Sequence, residues 1–302
     1  MGLKSVAELI AACKASEKSL WEIILMQDLD IDTPAARALS MQKMEHMWDV
    51  MCASVENYDK ERRSFSGLVG GDGAQYLEAL HTGNMMCGRY FNQAIATALK
   101  VSECNACMKQ IVAAPTAGSC GVIPAAFIPY QEEYHATKEE MLHALYVAGG
   151  FGNIIAERAS ISGAEAGCQA EIGAASAMAA AALTFLCGGT PEACGNACAM
   201  ALKNLLGLVC DPVAGLVEVP CVKRNVVGVV NAIACANMAI AGITSRIPAD
   251  EVIDAMADVG RHMPETLRET ATGGLAVTPT AQKVVEMLSK SASADENLFQ
   301  EM

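Results

Sequence analysis

Three long stretches without a formally charged side chain constrain the fold of this chain most strongly. They cover residues 110–131, 172–191 and 225–245, each about twenty residues, a length that also suits a membrane-spanning helix. The first contains three prolines, the second is rich in alanine and glycine, and the third contains three asparagines, so none is apolar enough for confident insertion. We predict instead helices buried on all sides in a soluble protein, where small residues let backbones approach closely.

Composition predicts an all-α fold. Aromatic residues make up only 5% of the chain and hydrophobic residues, mostly aliphatic, make up 52%, which favours close-packed helices over a β-sandwich. No run alternates with period two for long enough to form a sheet, although residues 215–222 suit one short strand. We predict a single compact multi-helix domain over residues 1–302, with an amphipathic N-terminal region (1–60), a core (61–285) and a polar tail (286–302).

Charge and cysteine content limit the binding partners and the cellular compartment that we expect for this protein. The net charge of −13, from 34 acidic and 21 basic residues, indicates solubility and offers no basic patch for nucleic acid or an anionic membrane. The N-terminus shows none of the regions of a signal peptide, so we expect a cytoplasmic protein. In that reducing compartment, 13 cysteines predict buried hydrophobes, metal ligands or catalytic thiols rather than disulfides.

Capping signals mark several helix starts. In a capping box, a Ser or Thr hydroxyl accepts from the third amide, and a Glu three residues on accepts from the cap's own amide. The boxes are Ser5 with Glu8, Ser19 with Glu22, and Thr137 with Glu140. Thr33 followed by Pro34, and Pro248 before an apolar-periodic segment, predict two further helix starts.

A stripe of large apolar residues marks one face of the helix that begins at Pro34. The stripe consists of Met41, Met44, Trp48, Met51 and Val55. Such a stripe at helical spacing is typical of a core face, and a Met-rich surface also suits an interface with another chain because it repacks easily.

The segment 114–121 breaks the helical pattern and contains Thr116, Gly118 and Ser119. A helix start near Ser119 would supply free amides, two hydroxyls and no side chain at glycine, which together suit an anion such as a carboxylate or phosphate. An ordinary helix N-terminus is the alternative. No Gly-Lys-Ser/Thr follows, so the segment is not a Walker loop.

The cysteines fall into two groups by context. Cys104 and Cys107 form a CxxC without a second pair, and Cys187, Cys194, Cys198 and Cys235 lie in Ala/Gly-rich stretches, so we interpret these six as packing residues. Cys168, Cys210 and Cys221 instead lie in or beside loops. Three thiolates that converge suit a thiophilic metal or an iron–sulfur cluster, but their spacing alone does not decide between these and simple packing.

Four segments of the sequence favour the iron–sulfur interpretation of Cys168, Cys210 and Cys221 over simple packing. Residues 105–127 (NACMKQIVAAPTAGSCGVIPAAF), 165–173 (EAGCQAEIG), 210–225 (CDPVAGLVEVPCVKRN) and 268–280 (RETATGGLAVTPT) together resemble the iron–sulfur-dependent L-serine dehydratases. The likeness is to the alpha subunit of the two-subunit form, and it runs from Ser66 to about Thr280. The resemblance implies an all-helical catalytic domain that holds a [4Fe–4S] cluster.

Site residues and reaction follow from the same resemblance. The family's cluster cysteines fall on Cys168, Cys210 and Cys221, and three protein ligands leave one iron open to act as a Lewis acid on the substrate hydroxyl. The residues implied to hold the substrate carboxylate are Thr116, Ala117, Gly118 and Ser119, with Ser66 and Gly67 close by. The implied activity is that of a lyase of amino-acid degradation, which converts L-serine to ammonia and to pyruvate that can enter gluconeogenesis.

Two departures from the family's single-chain members imply a partner. Those members carry an additional small domain, and some end in a cysteine that reaches the active site, whereas this chain ends in Met302. A heterodimer with a separate beta subunit is therefore implied. The general base stays unassigned, and the partner is one source for it, because no histidine lies in a matched segment: His46, His81, His135, His143 and His262.

Two alternative functions stay open. A related iron–sulfur lyase acting on threonine or cysteine would use the same cluster with a different pocket. A metal-free helical interaction protein would use its cysteines only for packing. A pyridoxal-phosphate dehydratase is disfavoured because no lysine lies in a Schiff-base motif.

Overall fold

The computed structural model describes residues 3–83 and 85–300, with side chains as far as residue 290. Thirteen α-helices account for most of this range, and the predicted all-α fold is confirmed. The helices are α1 Val6–Ser16, α2 Leu20–Asp28, α3 Pro34–Glu56, α4 Asp72–His81, α5 Arg89–Ala106, α6 Val122–Tyr134, α7 Lys138–Arg158, α8 Gly163–Ala166, α9 Ala174–Leu186, α10 Pro191–Lys203, α11 Cys221–Ile240, α12 Ala249–His262 and α13 Pro279–Gln300.

Short non-α turns lie between the later helices. A π-helical turn, Gln169–Gly173, leads directly into α9, and 3₁₀ turns are formed by Ala117–Ser119, Val213–Gly215, Glu265–Leu267 and Gly274–Val277. Within the described residues there is no sheet; Cys210 and Arg268 form an isolated parallel bridge.

The short strand predicted over residues 215–222 is wrong. Gly215 closes a 3₁₀ turn with a φ of 69°, and Pro220 precedes Cys221, the first residue of α11. A left-handed residue reverses the chain, and a proline has no N–H to donate to a neighbouring strand. The β-branched residues of this segment are therefore used in a turn and a helix start.

Helix α9 forms the centre of the core. It packs against α6, α7, α10 and α11, and every residue from Ala174 to Thr184 is buried. A glycine of the neighbouring helix allows close approach at one point: a Cβ at Gly152 of α7 would lie 2.8 Å from Met178 Cε of α9. The predicted buried helix over residues 172–191 is thus confirmed over most of its length. In the described residues one segment, 169–186, is long and apolar enough to span a membrane, and 83% of it is buried within the protein, as in a core helix.

The N-terminal helices pack onto this core. Helix α2 packs against α7, and α3 packs against α5 and α7. On α3, Trp48 and Met51 are buried and Met41 and Met44 pack against the core. The core-face interpretation of the stripe is confirmed for these four residues, and an additional role at an interface stays a prediction.

The predicted helix caps are present, with one change of partner. Ser19 with Glu22, and Thr137 with Glu140, form reciprocal capping boxes. At α1 the Ser5 hydroxyl accepts from the Glu8 amide, but the Glu8 carboxylate accepts from the Lys4 amide.

The polar tail predicted at 286–302 begins inside α13, which continues to Gln300. Among the cysteines interpreted as packing residues, Cys187 is exposed, because it follows the last residue of α9 at the surface.

Candidate active site

The predicted cluster cysteines lie in three separate segments of the chain, each in a loop or at the start of a helical element. Cys168 directly precedes the π-helical turn, Cys210 lies in the segment between α10 and α11, and Cys221 is the first residue of α11. Cys168 and Cys210 are each 3% exposed, and Cys221 is partly buried. Segments that are distant in sequence thus bring their thiols into one interior region.

The three thiols lie close enough to influence one another's ionisation. Burial and then the Glu171 carboxylate raise the pKa of Cys168 to about 12. Burial, followed by Cys168 and Glu171, raises the pKa of Cys221 to about 12 and also raises the pKa of Cys210. Such thiols stay protonated at neutral pH unless a cation replaces the proton. The region is therefore a set of soft donors around one carboxylate.

The donor set has the chemistry of an iron–sulfur site. Cysteine sulfurs are the donors that hold such clusters, and each cysteine binds a different iron. Among the described residues, no group of three or more His, Cys, Asp or Glu side chains is arranged to hold a single metal ion. The fit to a cluster therefore rests on the three sulfur donors and on the influence of their charges on one another.

Glu171 connects these cysteines to the predicted substrate loop. Its Oε1 accepts a 2.7 Å hydrogen bond from the Thr116 hydroxyl, and its Oε2 lies 3.8 Å from Cys210 Sγ. Burial raises the pKa of Glu171. A Cβ at Gly118 would lie 2.9 Å from Oε1, so glycine at that position leaves room for the carboxylate. The carboxylate belongs to a π-helical turn, a feature often found at functional sites.

The loop that contains residues 116–119 is held by two asparagine side chains. The Ala117 and Gly118 carbonyls accept from Asn105 Nδ2 (3.1 Å) and Asn225 Nδ2 (2.8 Å) respectively. Because N–H and C=O point in opposite directions across a trans peptide, the Gly118 amide faces away from Asn105. Within the described residues, no hydrogen-bond acceptor is recorded for the Ala117 and Gly118 amides, as expected for the first residues of a helical turn.

Ser119 differs from the other predicted substrate residues. Its side chain is completely buried, and its hydroxyl bonds to the Thr116 amide (3.3 Å) and to the carbonyls of Ala114 and Thr116. A hydroxyl engaged in this way closes the loop. The predicted helix start near Ser119 takes the form of a 3₁₀ turn, after which α6 begins at Val122.

Ser66 and Gly67 belong to a separate loop that lies near the N-terminal end of α11, the end that begins with Cys221. The hydroxyls of Ser64 (2.7 Å) and Ser66 both donate to the Glu218 carboxylate, three residues before Cys221. Gly67 is exposed, with a φ of 77°. No hydrogen bond among the described residues joins this loop to residues 116–119. The structure therefore places Ser66 beside the start of α11, with Gly67 next to it, and shows no hydrogen bond from these two described residues to the predicted substrate loop.

The last matched segment packs onto Cys210. The Cys210 amide donates to the Leu267 carbonyl (2.8 Å), and the Glu269 amide donates to the Cys210 carbonyl (2.7 Å). The adjacent Asp211 accepts from the Leu275 amide through Oδ2 (2.8 Å). All four sequence segments that carry the family resemblance thus meet around the three cysteines.

Comparison with known proteins decides the family. Residues 4–276 match the family described as "Serine dehydratase alpha chain". The chain belongs to this family. The resemblance seen in the four segments is confirmed.

Relatives of this serine dehydratase alpha-chain family match over most of the chain. A "Probable L-serine dehydratase, alpha chain" of Bacillus subtilis (strain 168) is 47% identical over 281 residues, which cover 93% of each chain. An "L-serine dehydratase, alpha chain" of Peptoniphilus asaccharolyticus is 39% identical over 283 residues, covering 93% of this chain and 97% of the relative. The "L-serine dehydratase TdcG" of Escherichia coli (strain K12) is 45% identical over 182 residues, 60% of this chain and 40% of the relative.

The five histidines of this family member are exposed or stacked on an aromatic ring. His46, His81, His135 and His262 are exposed, and His143 stacks on Trp21 with ring centroids 3.7 Å apart. None of them hydrogen-bonds the site residues described above.

Several site residues were missed by sequence reasoning, although they lie in the segments matched to the family. Glu171 lies in residues 165–173, and four more lie in residues 210–225: Asp211, Glu218, Arg224 and Asn225. The available signal was the presence of charged or amide side chains in otherwise apolar motifs.

Proposed function

We propose that this chain is the catalytic subunit of an L-serine dehydratase, which converts L-serine to pyruvate and ammonia. The observation that carries the proposal is the position of Glu171, whose carboxylate accepts from the Thr116 hydroxyl of the loop 116–119 and lies 3.8 Å from Cys210 Sγ. The names of the relatives, which specify L-serine dehydratases, support the choice of substrate.

A [4Fe–4S] cluster is the proposed cofactor, held by Cys168, Cys210 and Cys221. Their burial and mutual proximity support this ligand set. When bound, a cluster with three cysteine ligands would supply an iron without a protein ligand as a Lewis acid for the substrate hydroxyl, which is otherwise a poor leaving group.

The chain's own groups suit a zwitterionic amino acid. The Ala117 and Gly118 amides are donors for the α-carboxylate, and the Glu171 carboxylate beside them is an acceptor for the α-ammonium. A cysteine that binds iron has lost its proton, so Cys210 would no longer donate to Glu171 Oε2. That oxygen would then be free to accept from the ammonium.

The reaction removes the α-proton and the β-hydroxyl of serine as water. The resulting aminoacrylate tautomerises to an imine, which water hydrolyses to pyruvate and ammonia. The α-proton needs a base, and no histidine of the described chain hydrogen-bonds the site. We propose that a beta subunit completes the site, which agrees with the alpha-chain family and the names of the relatives. The 13 unpaired cysteines support a cytoplasmic setting for this heterodimer.

The test compares the chain alone with the chain plus a beta subunit, both reconstituted with iron and sulfide under anoxia. We expect pyruvate from L-serine only with both chains, at about 10 s⁻¹, and slower turnover of L-threonine and L-cysteine. The Cys210→Ala variant of the same heterodimer is the control. No turnover of any of the three amino acids by the cluster-loaded heterodimer would contradict the proposed function, as would equal turnover by metal-free protein. Faster turnover of threonine or cysteine would assign the chain to a related lyase.

A further inference from the structure

A partly buried arginine lies beside the segment that contains Cys210. The side chain of Arg224 is 14% exposed and belongs to the first turn of α11, three residues after Cys221. Its Nη1 donates to the Val209 carbonyl (2.7 Å), and its Nη2 donates to Asp211 Oδ1 (2.7 Å). These two acceptors belong to the residues on either side of Cys210. The guanidinium therefore fixes the backbone around Cys210 relative to the helix that begins with Cys221.

The same guanidinium also acts on the other two cysteines. Its positive charge opposes the rise that burial causes in the pKa values of Cys168 and Cys221. One cation thus acts on two thiols through its charge and holds the backbone beside the third. A lysine could not reproduce this arrangement, because only the planar fork of arginine donates in several fixed directions.

The partner carboxylate is itself buried and fully engaged. Asp211 has a side-chain exposure of 4%, and its second oxygen accepts from the Leu275 amide. Burying an ion pair has a large desolvation cost, so such a pair is weak evidence for a role in stability alone. Its position among three cluster ligands indicates a different role.

We infer that Arg224 is a positioning residue for the proposed cluster: it fixes the placement of Cys210 relative to Cys221 and supplies positive charge near the sulfurs of Cys168 and Cys221. The inference rests on the proposed function, since it requires that a cluster binds. Net charge and hydrogen bonds to sulfur both set the reduction potential of an iron–sulfur centre. Removing this cation should therefore make the cluster harder to reduce. Losing the two hydrogen bonds of the guanidinium should make the cluster dissociate more easily.

The experiment separates charge from geometry with two substitutions. Arg224→Gln removes the charge, and Arg224→Lys keeps the charge but loses the fork. Lys223→Gln is the matched control, because Lys223 is the adjacent residue, is 61% exposed and pairs with Asp72 at the surface. For each reconstituted chain, the midpoint potential, the iron and sulfide content, and the rate of bleaching in air are measured, with circular dichroism as the check on folding.

We expect a lower midpoint potential in Arg224→Gln than in wild type. In Arg224→Lys we expect a potential near that of wild type, with bleaching at least about threefold faster. Lys223→Gln should match wild type in both. A wild-type potential and bleaching rate in Arg224→Gln would overturn the inference. If that variant fails to fold, a wild-type bleaching rate in Arg224→Lys would overturn it instead. If the wild-type chain binds no cluster, the proposed function is contradicted. If the wild-type chain binds a cluster and both Arg224 variants have its midpoint potential and bleaching rate, only this inference is contradicted.

Discussion

The Thr116 hydroxyl donates a 2.7 Å hydrogen bond to Glu171 Oε1, across 55 residues of sequence. This bond joins the loop with the free amides to the turn that follows Cys168. The other carboxylate oxygen lies 3.8 Å from Cys210 Sγ. Glu171 therefore connects the proposed substrate loop to the proposed cluster. We expect a substitution in the loop to affect the cluster region, and a substitution at the cluster to affect the loop.

Thr116→Val should weaken substrate binding. The substitution removes the hydrogen bond that orients Glu171, and a bond to a charged group contributes about 1.5–3 kcal/mol. We expect the KM for serine to rise about tenfold or more, with iron content unchanged, in steady-state kinetics of the loaded enzyme. Thr116→Ser keeps the hydroxyl and is the control. A KM in Thr116→Val equal to that in Thr116→Ser would remove this hydroxyl from the site.

Ser119→Ala should instead lower stability. The Ser119 hydroxyl is buried and bonds to the backbone of its own loop, so its loss leaves buried polar groups without a partner, at a cost of about 1–3 kcal/mol. Chemical denaturation should show this decrease in the free energy of unfolding. An unchanged unfolding free energy together with a large rise in KM would place this hydroxyl at the substrate after all.

Glu171→Gln should discriminate between ligands with and without an ammonium group. We expect the KM for serine to rise at least about tenfold, because a charge-assisted bond to the ammonium is lost. Inhibition by 3-hydroxypropanoate, which has the carboxylate and the hydroxyl but no ammonium, should change much less. If both ligands weaken equally, Glu171 maintains the shape of the site and does not bind the ammonium.

Local features were predictable from the sequence, and distant pairings were not. The caps at Ser19 and Thr137 were predictable because both partners lie within four residues. The pairing of Ser66 with Glu218 spans 152 residues, and that of Asn225 with Gly118 spans 107. No periodicity encodes such contacts, because they exist only after the helices have packed. The strand predicted over residues 215–222 was wrong for a local reason: the apolar pattern suits a strand, but Gly215 adopts a left-handed φ of 69° that ends a 3₁₀ turn.

Gly274→Ala should disturb the site through Asp211. Gly274 has a φ of 58°, and a Cβ there would lie 2.4 Å from Asp211 Oδ2. Gly188→Ala is the control, because Gly188 has a φ of 76° but nothing within 4 Å of the added carbon. We expect Gly188→Ala to cost about 1–2 kcal/mol from backbone strain alone. Gly274→Ala should cost more and also lower iron content. Equal unfolding free energies and equal iron content in the two variants would contradict the contact with Asp211.

His143 should make stability depend on pH. Burial against Trp21 lowers the pKa of His143 below its ordinary 6.5. At pH values between the pKa of His143 in the folded state and 6.5, the unfolded state therefore binds more protons than the folded state. The free energy of unfolding should therefore rise with pH across this window and fall on acidification. His143→Phe keeps an aromatic ring without a titrating group, and it should have a flatter pH profile. Identical slopes in wild type and His143→Phe, from denaturation at several pH values, would contradict the lowered pKa.

The most direct test of the account is the iron and acid-labile sulfide content of the anoxically reconstituted chain, measured beside three single cysteine variants and two controls. We predict about four iron and four sulfide per wild-type chain, and loss of the intact cluster in Cys168→Ala, Cys210→Ala and Cys221→Ala. Cys104→Ala and Cys107→Ala should retain wild-type content, because both thiols are buried on α5 or directly after it. Full iron and sulfide in Cys210→Ala, or none in a folded wild-type chain, would contradict the account.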